Sequence, residues 1–109
     1  LLAELERYGD AARSLSEAAG LMPGRPRIHY NRALVLQRLG RNAESEDALR
    51  QAHELDPGDA RIVHALAVAL AERRRWREAK TWARKLVDMT QGSAEARRLL
   101  EYVQTQGRR

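Results

Sequence analysis

Shifted by 34 positions, the sequence falls on itself without a gap. Leu21, Leu55 and Met89 coincide, as do Gly24, Gly58 and Gly92, and Arg7, Arg41 and Arg75. The pairs Pro23/Pro57, Ile28/Ile62 and Leu36/Leu70 coincide too. Asp10, Glu44 and Glu78 line up, each followed by a small residue, Ala11, Ser45 or Ala79. A period of this length confines the chain to a stack of like supersecondary units. One unit cannot bury its apolar stripe alone, so the neighbours must close its core.

Each unit reads as two helices. Residues 1–7 are expected to be the tail of a first helix and residues 9–21 its partner, with the stripe Ala11, Leu15, Ala18 and a stop before Pro23. Pro26 suits the first turn of a helix near 26–39, where its missing N–H would have no partner anyway. Gly40 supplies a left-handed cap. A helix near 42–55 follows, with the stripe Ser45, Ala48, Leu49, Ala52, and ends at Asp56-Pro57-Gly58. Asp59 caps a helix near 60–73, another spans about 76–89, and Ser93 caps a last one near 94–106. The tail Gln106–Arg109 is expected to fray.

The small sites, large sites and stop proline of residues 26–59 resemble the tetratricopeptide repeat, a helix–turn–helix unit. The resemblance implies an all-α solenoid of about 2.5–3 stacked antiparallel hairpins with a C-terminal capping helix. Its parts would be a partial repeat (1–25), a complete repeat (26–59), a third repeat (60–93), and a cap with tail (94–109), making one domain. Ala33 and Ala67 would mark the closest helix approach, and Leu36, Leu49, Leu55, Leu70 and Tyr8 or Trp76 would fill the space between helices. Two departures stand out. Glu6 and Arg74 occupy the place of Gly40, and a left-handed residue with a side chain costs on the order of 1 kcal/mol, so turns of a different build are expected there. In the third repeat Ala83 precedes Leu86 where Leu49 precedes Ala52, a volume-conserving exchange with Trp82 beside it.

Composition removes whole classes of function. There is no cysteine, hence no disulfide, thiol catalysis or Cys-ligated metal. No apolar run approaches the length of a membrane span. The compartment is left open, with the cytoplasm ahead of the periplasm. No phosphate loop, nucleophile elbow or helical His pair at metal spacing is present, so neither an enzyme nor a cofactor or metal site is expected. The net charge of +5 lies wholly in residues 55–109, since residues 1–54 carry eight Arg against eight acidic groups. A basic half can serve nucleic acid, anionic lipid or an acidic protein partner. Solvated faces are preferred over a nucleic-acid site, because Trp76 and Trp82 fall on or next to the apolar stripe Ala79, Ala83, Leu86. His29 is read as packing between helices, His64 as facing the groove and His53 as lying on a helix surface.

In tetratricopeptide proteins the first helices line a concave face that binds an extended or helical peptide. Carried over by position, that face would hold Arg27, Tyr30, Asn31, Leu34, Gln37 and Arg38, then Arg61, His64, Ala65, Val68 and Glu72, then Arg98 and Tyr102. Guanidiniums, an amide and aromatics together suit a protein or peptide partner, including an acidic one. Asn31 matches an asparagine with which chaperone-binding relatives clamp a terminal carboxylate. Tyr30, Leu34, His64, Ala65 and Val68 do not match the rest of that clamp, so chaperone-tail binding is not assigned. The alternative function is self-association through an apolar N-terminal end, Leu1, Leu2, Leu5 and Leu15.

Overall fold

The computed structural model describes residues 1–108 and contains six α-helices and no strand among them. They are α1 (Leu2–Leu21), α2 (Pro26–Arg38), α3 (Asn42–Leu55), α4 (Ala60–Glu72), α5 (Trp76–Met89) and α6 (Ala94–Gly107). The chain divides into two compact units, Leu1–Pro57 and Gly58–Arg109. The fraying expected from Gln106 is not seen at Gln106 or Gly107, because α6 continues through Gly107; Arg109 lies outside the described residues.

In the first unit α2 packs against both α1 and α3. Ala33 and Ser45 are fully buried where α2 and α3 come closest, and the Ser45 hydroxyl donates to the Ala33 carbonyl at 2.8 Å. A small side chain is needed there, and this one also satisfies a buried polar group. Leu36, Leu49, Ala48 and Ala52 complete the core. Two expected core assignments fail. Leu55 is 43% exposed because it is the last residue of α3, where the helix ends at the hairpin's open end. On α1 the stripe Ala11, Leu15, Ala18 is only half-buried and Ala12 is the buried residue. The reason is rotation toward α2, seen in Arg32 Nε donating to Ser16 Oγ at 2.9 Å.

The expected break between residues 7 and 9 is absent: α1 is one helix of 20 residues. Gly9 keeps a helical backbone, and residues 1–7 are all exposed, so no packing energy is available there to fold the chain back on itself. The turn at Arg74 also overturns expectation, in the opposite direction. Arg74 takes φ 59°, close to the 74° of Gly40, and the two turns share their hydrogen bonds. Gly40 N–H and Arg74 N–H donate to Gln37 O and Ala71 O at 3.0 Å, and Arg41 N–H and Arg75 N–H to Leu36 O and Leu70 O at 2.9 Å. Here α4 and α5 do pack together, and that packing holds an arginine in the left-handed region.

In the second unit α5 lies between α4 and α6. Val63, Leu86 and Ala96 form a buried cluster, with Trp82, Val87, Met89 and Leu99 packed around it. Ala83 and Leu86 are both buried, with Trp82 against them, consistent with the exchange of sizes read from the sequence. The α6 helix thus covers α5 with its apolar side while Glu95, Arg97, Arg98 and Glu101 face solvent. Both predicted caps form: the Asp59 carboxylate accepts from Arg61 N–H at 2.9 Å, and Ser93 Oγ accepts from Ala96 N–H at 3.2 Å.

Candidate functional site

Burial by neighbouring helices decides which face of each first helix is left for a ligand. On α2 the exposed residues Arg27, Asn31, Leu34 and Arg38 recur at helical spacing and form one open stripe, flanked by half-buried Tyr30 and Gln37. The opposite side of α2 is occupied. His29 is 5% exposed, and its Nε2 lies 2.8 Å from the Pro23 carbonyl. A carbonyl only accepts, so Nε2 carries the proton and the buried Nδ1 is left without a partner. The packing reading of His29 therefore holds.

The α4 helix is the most apolar of the six, and eight of its 13 residues are buried. What escapes is one stripe, Arg61, His64, Val68 and Glu72, with half-buried Ala60 at its start. Ala65, expected on this face, is 7% exposed; one step from His64 turns it about 100° off the stripe and into the core. The Arg61 guanidinium donates to Asp59, the nearer contacts being 3.1 and 3.3 Å. Its hydrogen bonds, with the Arg61 N–H, hold the Asp59 carboxyl below the usual carboxylate range against the opposing effect of partial burial.

Within the same unit α6 runs beside this stripe. His64 Nε2 lies 3.9 Å from Glu95 Oε1 at one end. At the other end Glu72, Arg74, Trp76, Tyr102 and Gln106 line an open pocket of about 640 Å³. The Tyr102 ring meets the Trp76 indole edge-on, with centroids 6.3 Å apart and planes at 71°. Gly107 makes that approach feasible, since a Cβ there would sit 3.0 Å from Trp76 Cβ. Arg98, one turn before Tyr102, is exposed. The structure thus places Arg61, His64, Val68, Glu72, Arg98 and Tyr102 on α4 and α6 of one unit, while the six α2 residues form the open stripe of the other.

Five wall residues of that pocket were not among the predicted site residues: Ala71, Arg74, Trp76, Gln106 and Gly107. Gln106 had a signal, because the 34-residue shift carries Glu72 onto it. Arg74 and Trp76 had none, since only the left-handed turn brings them round to the pocket. Among the described residues no three His, Asp or Glu side chains converge as a metal site would require. The second tryptophan is engaged within the protein: Trp82 packs on the Val63 cluster, and Lys85 Nζ stands 5.2 Å from its ring centroid.

The tetratricopeptide repeat family model matches residues 38–101, more than half of the chain. Solved structures share the fold at low sequence identity. The first tetratricopeptide domain of Spaghetti (RPAP3), bound to an HSP90 peptide, is 20% identical, with a TM-score of 0.84 over 94% of this chain and 81% of that one. The OM64 tetratricopeptide domain of Arabidopsis is 18% identical, with a TM-score of 0.82 over 92% of this chain and 83% of that one. The Sgt2 domain of Aspergillus fumigatus is 22% identical, with a TM-score of 0.80 over 92% of this chain and 68% of that one. No curated protein sequence matches significantly.

Proposed function

Since the chain belongs to the tetratricopeptide repeat family, we propose that it is a non-catalytic protein–protein interaction scaffold. It takes a peptide or protein segment along the open stripes of its first helices. One observation carries this reading: past the first residue of α4, burial spares only Arg61, His64, Val68 and Glu72, beside a pocket walled by Trp76 and Tyr102. An apolar residue and an aromatic offer desolvation, while the cations, imidazole and carboxylate around them fix orientation. The partner need not resemble the HSP90 peptide held by Spaghetti, because apolar Leu34 and Val68 stand where a terminal-carboxylate clamp needs polar or basic groups. Arg27 and Arg38 project from α2, and charge-assisted bonds from them favour a segment with carboxylates.

The test is capture from native lysate on the immobilised chain, followed by direct titration of the recovered partner. A His64→Ala/Tyr102→Ala variant should bind roughly tenfold or more weakly with unchanged helicity by circular dichroism. If that variant binds normally while Arg84→Glu/Lys85→Glu on α5 abolishes capture, the partner docks on the second helices and the reading fails.

A further inference from the structure

A second, smaller pocket lies on the other side of Trp76. It measures about 210 Å³ and is lined by Trp76, Arg77, Lys80, Val103, Gln104 and Arg108, from the start of α5 and the end of α6. Three of the six side chains are cations and none is a carboxylate. None of those three cations has a side-chain ion pair or hydrogen bond among the described residues. Other arginines do have carboxylate partners: Arg41 with Glu44 at 2.7 Å, Arg50 with Glu46 at 3.0 Å, Arg61 with Asp59 at 3.1 Å, and Arg75 with Glu78 at 3.8 Å. Unpaired like charges around one concavity repel each other, and an anion placed among them relieves that repulsion.

We propose that this pocket is a phosphate-monoester site that takes a phosphorylated side chain of a protein partner, distinct from the face of α4. Three arguments select that chemistry. A phosphate monoester carries close to two negative charges and three acceptor oxygens, which suits two guanidiniums, an ammonium and the Gln104 amide better than a single carboxylate does. The volume, about 210 Å³, gives room for a phosphate and its short stem. The apolar part of the lining that reaches the surface, the half-buried Trp76 indole, gives the stem and an adjoining residue a face to rest on. Single-stranded nucleic acid needs successive exposed aromatic platforms. The lining of this pocket holds one aromatic ring, and Trp82 packs against the Val63 cluster with Lys85 over its ring.

The probes are a short glycine-flanked peptide with one phosphoserine followed by leucine, its unphosphorylated twin, inorganic phosphate, and an octathymidine. Binding is followed by NMR shifts of the Trp76 indole N–H. The phosphopeptide should bind roughly tenfold or more tightly than its twin and than inorganic phosphate. Arg77→Gln/Lys80→Gln should remove that advantage, whereas Arg84→Gln/Lys85→Gln, which loses the same charge on the same helix, should change it less than about threefold. Equal losses in the two variants would mean diffuse electrostatics and overturn the proposal. Inorganic phosphate binding as well as the phosphopeptide would reduce the pocket to an ion site, and octathymidine binding more tightly than either would make it a nucleic-acid site. Each of these outcomes rejects a phosphorylated side chain as the ligand.

Discussion

At the residue scale, Arg74 is one of two non-glycine residues held in the left-handed region, with Gln91 at φ 51° the other. It holds φ 59° in a turn that its counterpart Gly40 makes without a Cβ penalty. The penalty is roughly 1–2 kcal/mol, and a glycine would return part of the gain by loosening the unfolded chain. Arg74→Gly should therefore stabilise the protein by about 1 kcal/mol, visible as a shifted midpoint in denaturant with an unchanged slope. A neutral or destabilising result would mean that the side chain, on the wall of the larger pocket, contributes contacts worth as much as the strain. Asp59 offers a second test. Its folded-state pKa lies below the unfolded value, so its contribution is present above the unfolded pKa and lost as pH falls through the folded one. Asp59→Ala should cost about 1 kcal/mol near neutrality, and the deficit should shrink at acid pH. Asp59→Asn, which still caps, should keep most of the stability and lose the pH dependence; thermal melts near pH 7 and about pH 3 bracket the carboxylate range. Asn losing as much as Ala at neutrality would shift the credit from the cap to the ion pair with Arg61.

At the element scale, the α2–α3 hairpin depends on its closest approach. Ser45→Leu would force a branched side chain into a site with no exposed surface and remove the hydroxyl that donates to the Ala33 carbonyl. A cost of about 3 kcal/mol or more follows from overpacking together with a lost buried hydrogen bond. Ser45→Ala should cost only about 1 kcal/mol, because the Ala33 carbonyl keeps its helical bond; paired denaturant titrations separate the two. Such sites were legible in the sequence because their chemistry is local. Pro26, Gly40, Asp59 and Ser93 each act on their own backbone, and the helix limits they imply agree with α2 through α6 to within a residue. What depends on a neighbour was not legible. The expected turn near Tyr8 fails and the one at Arg74 forms, although both have another residue at the position of Gly40, because only α4 has a packed partner on the far side of its turn. The burial of Glu46, whose carboxylate lies 3.0 Å from Arg50 Nε, shows no periodic signal. The face of α4 was legible through the 34-residue shift, and Ala65 was misplaced on it for want of the helix rotation.

At the scale of the whole molecule, charge is distributed against stability. The chain carries +5, and its ion pairs are mainly exposed neighbours on one helix or turn, Arg41–Glu44, Arg61–Asp59 and Arg75–Glu78. Pairs of that kind contribute little, with a median of about 0–1 kcal/mol each, so screening them forfeits little. The repulsion among Arg73, Arg74, Arg75, Arg77, Lys80, Arg84 and Lys85 is spread along α5 and the turn before it. It acts over distances comparable with the screening length, about 10 Å at 0.1 M salt and about 3 Å at 1 M. Raising sodium chloride from about 0.05 M to 0.5 M should therefore raise the melting temperature, each ~0.5 kcal/mol of relieved repulsion adding about 2–4 °C. In Arg77→Gln/Lys80→Gln the wild-type gain should fall by half or more, since two of the crowded cations are gone. A melting temperature that falls with chloride would show that the ion pairs outweigh the repulsion. The basic stretch would then be a balanced surface rather than one held open for an anionic partner.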